Sequence, residues 1–307
     1  MKVKVSQLIP GCVLQEDIIG KTGKPIVSKQ TTLTKEHINI LQKFLITDVH
    51  VFNELSDGSR FIARHPVEEA NNTSEINISL QIHFNNVVHA FKDQFQVWEM
   101  EQKIDLVTLR QTVLPLFDRA KQMTIKDLIS LKHDVSKNSF YSRQILASLV
   151  TIVLAKDVGY DRKGDLYQIG LASLLSDSGF IKLSEDLFEQ AKQLSMADDE
   201  AIKQHPVLSY RLIENSPLLS QVAKLSVLQH EERLDRSGYP LKLGEADIHR
   251  YAKIIAVSDE FTKALYHALQ KNKSPVIEAI KAVQAQRLQK LDAKIVGILI
   301  NQLTANR

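Results

Sequence analysis

Two short segments hold most of the residues that could carry chemistry in this chain of 307 residues. Leu174–Phe180 reads L-L-S-D-S-G-F, and Gln229–Pro240 reads Q-H-E-E-R-L-D-R-S-G-Y-P. Imidazole and carboxylate groups such as these are common ligands of divalent transition metals. Structural roles are equally open: Asp177 before Ser178-Gly179 suits a helix cap or turn. A further histidine, His205, precedes a proline and suits capping or packing.

The two segments resemble the signature motifs of the HD-GYP family, metal-dependent phosphodiesterases that hydrolyse cyclic di-GMP. That family typically shows L-L-H-D-I-G-K and H-H-E-x-x-D-G-x-G-Y-P. Ile202–Pro206 matches a third family motif, I-K-x-H-P, and Ala252–Asp259 resembles a fourth, A-R-I-I-A-V-A-D. The motifs keep the family order between about Leu128 and Leu303, so the resemblance implies an HD-domain-like helical fold.

Several positions that carry the family's chemistry are altered in this chain. Tyr141 stands at the first metal-binding His, Ser176 at the His of the H-D pair, and Phe180 at the Lys that helps bind phosphate. A phenol with a pKa near 10 and a neutral hydroxyl are poor replacements for imidazole. The family's downstream arginines are also absent, and Lys263 and Lys271 are interpreted as solvated surface residues rather than substitutes.

Other family positions are retained, and the resemblance implies that they are metal ligands. Asp177, His205, His230 and Asp259 match ligands directly, while Glu231 stands where the family has a second His. Asp177 with His205, His230 and Glu231 could bind one zinc, iron or manganese ion. Asp177 and Asp259 alone could hold only a weakly bound hard ion. We therefore expect either no cofactor or one divalent transition metal.

This mixture predicts a catalytically degenerate HD-GYP-like protein that acts in cyclic-dinucleotide signalling by binding a protein partner. Loss of one transition-state charge stabiliser can cost about 10²–10³ in rate, and several are missing here. Gly238-Tyr239-Pro240 resembles the family's docking surface for diguanylate cyclase domains. One alternative is a residual single-metal phosphodiesterase. Another is a cyclic di-GMP receptor without hydrolysis, although two phosphates would need charge-assisted donors.

The predicted fold is mostly α, a helical HD-domain-like bundle preceded by a small α+β domain. Alternating Val3 and Val5 indicate a first strand, and Thr34 could cap a helix. A polar stretch follows the closing strand and reads as a linker. The expected divisions are a small α+β domain at 1–53, a linker at 54–79, a helical connector at 80–127 and the degenerate HD-GYP-like domain at 128–307.

Local signals add detail to the helical part. Asp105 and Ser195 are predicted helix caps, and Pro115 should kink or split its helix near Leu114. His133 is interpreted as a surface residue. Arg236 replaces a motif glycine that commonly has positive φ, so the loop could be altered. An aromatic stripe indicates a buried core or a homodimer seam rather than a ligand-binding site: Phe84, Val88, Phe91, Phe95 and Trp98.

Composition limits the partners and the compartment. A net charge of +3, from 39 basic and 36 acidic residues, gives no reason to expect a nucleic acid polymer as partner. The single cysteine, Cys12, cannot form an internal disulfide and fits a buried inert thiol. No apolar run is long enough to span a membrane, and the N-terminal residues lack a signal-peptide core. The sequence therefore predicts a cytoplasmic protein.

Overall fold

A computed structural model describes residues 1–5, 8–19, 25–43, 46, 48–59, 61, 72–133, 139–183, 200–271, 273–287 and 289–304. Their contacts divide into two compact units, Met1–Asn72 and Thr73–Arg307. We call them the small unit and the helical unit. Among the described residues, no helix is long and apolar enough to cross a membrane.

The small unit is a mixed α+β fold, as the sequence predicts. Its elements are β1 (Lys2–Lys4), β2 (Cys12–Leu14), β3 (Ile18–Ile19), β4 (Pro25–Val27), α1 (Lys35–Lys43) and β5 (Asp48–Leu55). The central strand β5 pairs antiparallel with β1 and β2, while β3 and β4 form a separate pair. Alternate residues such as Val49 and Val51 turn inward to a core that also buries Cys12 and Leu41.

The predicted domain boundaries need correction. The boundary at residue 53 falls inside β5, and Phe61 still belongs to the small unit's core. The second helix begins at Asn72, within the predicted linker 54–79. The predicted connector 80–127 shares one continuous core with the later helices. The polar composition of 68–74 predicted a linker. It did not reveal where the helix begins, because polar residues also suit the first turn of a helix.

The helical unit contains α2 (Asn72–Glu101), α3 (Leu106–Ala120), α4 (Ile125–Ile129), α5 (Ser139–Asp157), α6 (Lys163–Leu175), α7 (His205–Ile213), α8 (Gln221–Gln229), α9 (Arg250–Gln270), α10 (Pro275–Gln286) and α11 (Ala293–Thr304). Two short 3₁₀ helices cover Ser178–Lys182 and Ile202–Gln204. Helix α5 packs against α6 and α9 at the centre of the unit. This central position explains why nearly every side chain of α5 is buried.

The aromatic stripe on α2 is core, as predicted. Phe84, Phe91, Phe95 and Trp98 are each at most 1% exposed within a single chain. Phe91 and Phe95 meet the ring of Tyr141 edge-on, with ring centroids 6.1 and 5.6 Å apart. Because these side chains are buried within one chain, the stripe belongs to the core rather than to a dimer seam.

Two predictions for α3 have different outcomes. The Asp105 carboxylate caps the helix by accepting from the backbone N–H groups of Val107 and Thr108 at 3.0 and 3.1 Å. Pro115, however, does not split the helix, which runs unbroken from Leu106 to Ala120. Burial of one apolar face outweighs the single backbone hydrogen bond that proline removes. The predicted cap Ser195 lies outside the described residues.

His133 is not the surface residue that the sequence suggested. Its ring meets Phe84 edge-on at 5.7 Å and lies 5.5 Å from the ring of Tyr266. Both ring nitrogens are buried without a hydrogen-bond partner among the described residues. Burial lowers the pKa of His133 to about 4, and the nearby carbonyls of Leu128 and Ile129 offset this only in part.

This environment predicts acid sensitivity of the helical unit. The unfolded His133, with a pKa near 6.5, binds more protons than the folded form between pH 6.5 and 4, so stability falls as the pH falls through that range. Between pH 7 and pH 5, His133 should remove about 2 kcal/mol from the free energy of unfolding. His133→Phe should abolish this contribution, measured by urea unfolding with the fluorescence of Trp98, the only tryptophan.

Replacement of the exposed His89 by Phe provides the matched control and should keep the wild-type pH dependence. Equal losses of stability in wild type and His133→Phe between pH 7 and pH 5 would contradict the prediction.

Candidate metal centre

Five helical elements bring the candidate residues together. Asp177 follows the end of α6, His205 begins α7, and His230 follows α8. Asp259 lies in α9. Arg143 reaches the same region from the buried helix α5. All five residues are at most 6% exposed, so the site is enclosed by the core.

The turn after α6 positions Asp177 beside His205. Gly179 in this turn approaches α7 so closely that an added Cβ would lie 2.4 Å from the His205 carbonyl oxygen and 2.6 Å from the Ser209 nitrogen. The Gly179 N–H donates to Ser209 Oγ at 2.7 Å, and that hydroxyl donates to the Ser176 carbonyl at 2.7 Å. Only glycine allows this contact, because the opposing atoms are backbone.

The Asp177 carboxylate makes no capping bond to the following turn and instead faces two histidines. Oδ1 lies 3.3 Å from His205 Nε2 and 3.5 Å from His230 Nε2. Oδ2 accepts from Arg143 Nη2 at 2.9 Å and from the Gln144 side-chain amide. Burial alone would raise the pKa of Asp177, but the histidines and Arg143 hold it well below its usual value.

The two histidines present their Nε2 atoms to one point. His205 Nδ1 lies 2.8 Å from the Ile202 carbonyl oxygen, and His230 Nδ1 lies 2.8 Å from the Val227 carbonyl oxygen. A carbonyl can only accept, so each Nδ1 carries a proton and donates. In the neutral rings both Nε2 atoms then hold lone pairs, and these atoms are 3.1 Å apart.

Three acceptor atoms therefore converge on one position: the Nε2 atoms of His205 and His230 and the Oδ1 atom of Asp177. Lone pairs this close repel one another unless a cation lies between them, either a proton or a metal ion. Burial would lower the pKa of His230, but the Asp177 and Glu231 carboxylates raise it. Two imidazoles and one carboxylate form a suitable ligand set for a single zinc, iron or manganese ion.

Glu231 and Asp259, the other expected ligands, do not join this cluster. Glu231 Oε1 lies 4.0 Å from His230 Nε2, and its carboxylate accepts from Arg233 and Lys263, each at 2.9 Å. Asp259 accepts from Arg143 Nη1 at 2.6 Å and lies 2.6 Å from Lys263 Nζ. Both carboxylates are thus paired with cationic side chains instead of facing the histidines.

The altered family positions contribute no acceptor atom to this cluster. Tyr141 turns away into the aromatic core, and Arg143, two residues further along α5, donates to Asp177. The Ser176 hydroxyl donates to the Ser173 carbonyl at 2.8 Å. Phe180 packs its ring against His205, with centroids 4.6 Å apart. Phe180 thus gives apolar contact where the family has a charge.

Sequence reasoning missed Arg143 and misjudged Lys263. A signal for Arg143 existed, because it is the one charged residue between Phe140 and Ala155 of an otherwise uncharged helical stretch. A charge in such a stretch needs a buried counter-charge. The side chain of Lys263 is only 31% exposed and lies one helical turn after Asp259, so the solvated interpretation is wrong. Its carboxylate neighbours raise its pKa against the lowering effect of burial.

The G-Y-P loop is held in place by Glu232. The Glu232 carboxylate accepts from the backbone N–H groups of Leu241 at 2.6 Å and Leu243 at 2.9 Å. An added Cβ on Gly238 would lie 2.3 Å from the Arg233 nitrogen, so the chain folds back tightly there. These contacts leave the Leu241 side chain 54% exposed at the surface.

Arg236 keeps the backbone conformation expected of the glycine that it replaces. Its φ is +66°, a left-handed value that a non-glycine residue adopts at some cost. Asp235 supports the turn by accepting from the Ser237 N–H at 3.0 Å and from its hydroxyl at 2.6 Å. The loop is therefore retained despite the substitution.

An open cleft of about 440 Å³ lies beside this loop and reaches the edge of the charged cluster. The residues that line it include Glu231, Arg233, Tyr239, Lys263, His267 and Lys290. The cleft gives solvent a route to Lys263 and Glu231. The three converging acceptor atoms lie on more deeply buried residues.

Comparisons with known proteins agree with this architecture. A model of the HD domain family matches residues 124–295. The chain is 24% identical to the cyclic di-GMP phosphodiesterase PdeB of Borreliella burgdorferi, over 56% of this chain and 45% of that protein. It is 32% identical to a cyclic di-GMP phosphodiesterase of Thermotoga maritima, over 38% of this chain and 32% of that protein.

A third curated relative is the cyclic di-GMP phosphodiesterase response regulator RpfG of Xanthomonas campestris, 30% identical over 50% of this chain and 40% of the relative. The chain spans less than half the length of these curated relatives. Among solved structures, the HDG"Y"P protein Bd1817 of Bdellovibrio bacteriovorus shares the fold, with a TM-score of 0.53, 15% identity and 99% coverage of both chains. Motif order, fold and relatives agree, and the chain belongs to the HD domain family, within its HD-GYP group.

Proposed function

We propose that this chain does not turn over cyclic di-GMP at a useful rate and acts in cyclic di-GMP signalling by binding a protein partner. One observation carries the proposal. The Arg143 guanidinium lies between Asp177 and Asp259 and donates to both at 2.9 and 2.6 Å. The carboxylates that a second metal ion would need are therefore already bound to a fixed cation.

Hydrolysis of a phosphodiester by a metal centre depends on charge placed where the transition state develops it. A pair of ions activates water and stabilises both the attacking and the leaving oxygen. Arg143 cannot ionise a bound water as a metal does, because it has no open coordination position. Phe180, against His205, supplies no charge for the phosphate. Losing even one such stabiliser costs about 10²–10³ in rate.

The G-Y-P loop supports a role in docking. Glu232 and Gly238 hold it in one shape, so little ordering entropy should be lost on binding. Leu241 offers an exposed apolar side chain beside Tyr239 and Pro240. The partner that we infer is a signalling protein such as a diguanylate cyclase domain, as the family resemblance implies.

Two measurements on the purified chain test the proposal. Hydrolysis of cyclic di-GMP and pGpG is followed with added Mn²⁺ or Fe²⁺. A turnover of about one per second, the low end for ordinary enzymes, would contradict the proposal. Calorimetry with a diguanylate cyclase domain should show binding that Leu241→Asp weakens at least about tenfold. Ile277, also 54% exposed, provides the matched control: Ile277→Asp should bind as wild type does.

A second candidate function is a residual single-metal phosphodiesterase, favoured by the convergence of Asp177, His205 and His230. A metal ion held there would lower the pKa of a bound water and polarise a phosphate oxygen. This alternative predicts metal-dependent turnover that His205→Ala abolishes. Micromolar binding of cyclic di-GMP without turnover would instead support the receptor interpretation.

A further inference from the structure

The buried carboxylates of the candidate site are already paired with cationic side chains. Each of the buried carboxylates Asp177, Glu231 and Asp259 lies within 2.9 Å of a cationic side chain. Burying a carboxylate without a counter-charge is very unfavourable, so these contacts are needed for folding. The cations come from three places in the chain: Arg143, Arg233 and Lys263.

Arg143 is the most enclosed of these cations, with 3% of its surface exposed. Its guanidinium joins Asp177, after α6, to Asp259 in α9. The remaining Nε–H group is buried and has no acceptor among the described residues. A guanidinium stays protonated at any pH at which the protein folds. Arg143 is thus a permanent cation. Its guanidinium binds both carboxylates, although this position leaves the Nε–H group without an acceptor among the described residues.

Lys263 links Asp259 to a third carboxylate, Glu231, in the same way. Its Nζ lies 2.6 Å from Asp259 Oδ2 and 2.9 Å from Glu231 Oε1. Asp259 therefore binds a different cation at each oxygen, Arg143 at Oδ1 and Lys263 at Oδ2. Asp177 Oδ2 and Asp259 Oδ1 face one another across the Arg143 guanidinium. Carboxylate oxygens are also the ligands that hard divalent ions prefer.

We propose that Arg143 and Lys263 are resident counter-ions that take the place of further metal ions in this site. Folding then needs no metal at Asp177 and Asp259, and removal of Arg143 creates a position for a divalent ion between them. The inference rests on the proposed function, which supposes that the site lacks a second metal ion. It concerns metal content and stability, which are measured independently of turnover.

The test compares wild type, Arg143→Gln and the control Arg211→Gln, in which an exposed arginine on α7 is replaced. Mn²⁺ content is measured by equilibrium dialysis and elemental analysis, and melting temperature is measured with and without Mn²⁺. Wild type and Arg211→Gln should bind at most about one ion per chain, the ion of the histidine cluster. Arg143→Gln should bind about one more and gain about 5–10 °C in melting temperature at saturating Mn²⁺.

The result that overturns the inference is a folded Arg143→Gln chain with wild-type Mn²⁺ content and an unchanged melting temperature. Two or more ions in the wild type would overturn it equally. If Arg143→Gln folds only when Mn²⁺ is present, the inference is supported. If it does not fold under either condition, Arg143→Met decides, because methionine fills the space but adds no good ligand for Mn²⁺: no added ion in that variant overturns the inference. Turnover of cyclic di-GMP by wild type holding one ion would contradict only the proposed function.

Discussion

Replacing Arg143 by methionine is expected to lower the free energy of unfolding of the helical unit by about 3–5 kcal/mol. The variant keeps most of the side-chain volume but leaves Asp177 and Asp259 without their shared donor. Asp177 and Asp259 are at most 6% exposed, so water has little access to replace the lost hydrogen bonds. Breaking a buried ion pair from one side is costly because the remaining charge stays buried.

Urea unfolding in the presence of a chelator, followed by the fluorescence of Trp98, measures this loss. The double variant Arg143→Met/Asp259→Asn should recover part of it, since one of the two orphaned charges is removed at the same time. Arg211→Met, at an exposed position, should change the free energy of unfolding by less than about 0.5 kcal/mol. A loss of similar size in both arginine variants would mean that the bridging contacts contribute little.

Replacing His230 by alanine should reduce the affinity for Zn²⁺ or Mn²⁺ by at least about 100-fold. His230 contributes one of the three converging acceptor atoms, and losing an outer partner of a metal ligand already costs about 10–100-fold. Competition with a chelator of known affinity measures the effect. Its exposed counterpart, His89→Ala, should bind metal as wild type does.

A further variant separates the observed cluster from the wider ligand set that the motifs implied. Glu231→Gln should leave metal affinity nearly unchanged, because the Glu231 carboxylate is occupied by Arg233 and Lys263. A large loss in Glu231→Gln would show that this carboxylate turns toward the ion when one binds. Failure of the wild type to bind zinc, iron or manganese would contradict the single-metal prediction altogether.

The local sequence was sufficient where a residue's role depends on its near neighbours. The alternation of Val3 and Val5, the Asp105 cap and the aromatic spacing on α2 each predicted their element correctly. These signals depend on backbone periodicity and on hydrogen bonds that span a few residues. Local reasoning did not locate the end of β5 or exclude a split at Pro115, because packing against distant elements decides both.

The sequence by itself determined the family, through motif order, and the retention of Asp177, His205 and His230. Only the tertiary structure decided that Arg143 lies between Asp177 and Asp259, since Arg143 is 34 residues from one and 116 from the other. No periodicity along the chain encodes which cation reaches which carboxylate across three packed helices. Burying a carboxylate without a counter-charge is costly, so each enclosed carboxylate needs a cationic neighbour. The packing of α5 against α9 brings Arg143 to Asp259.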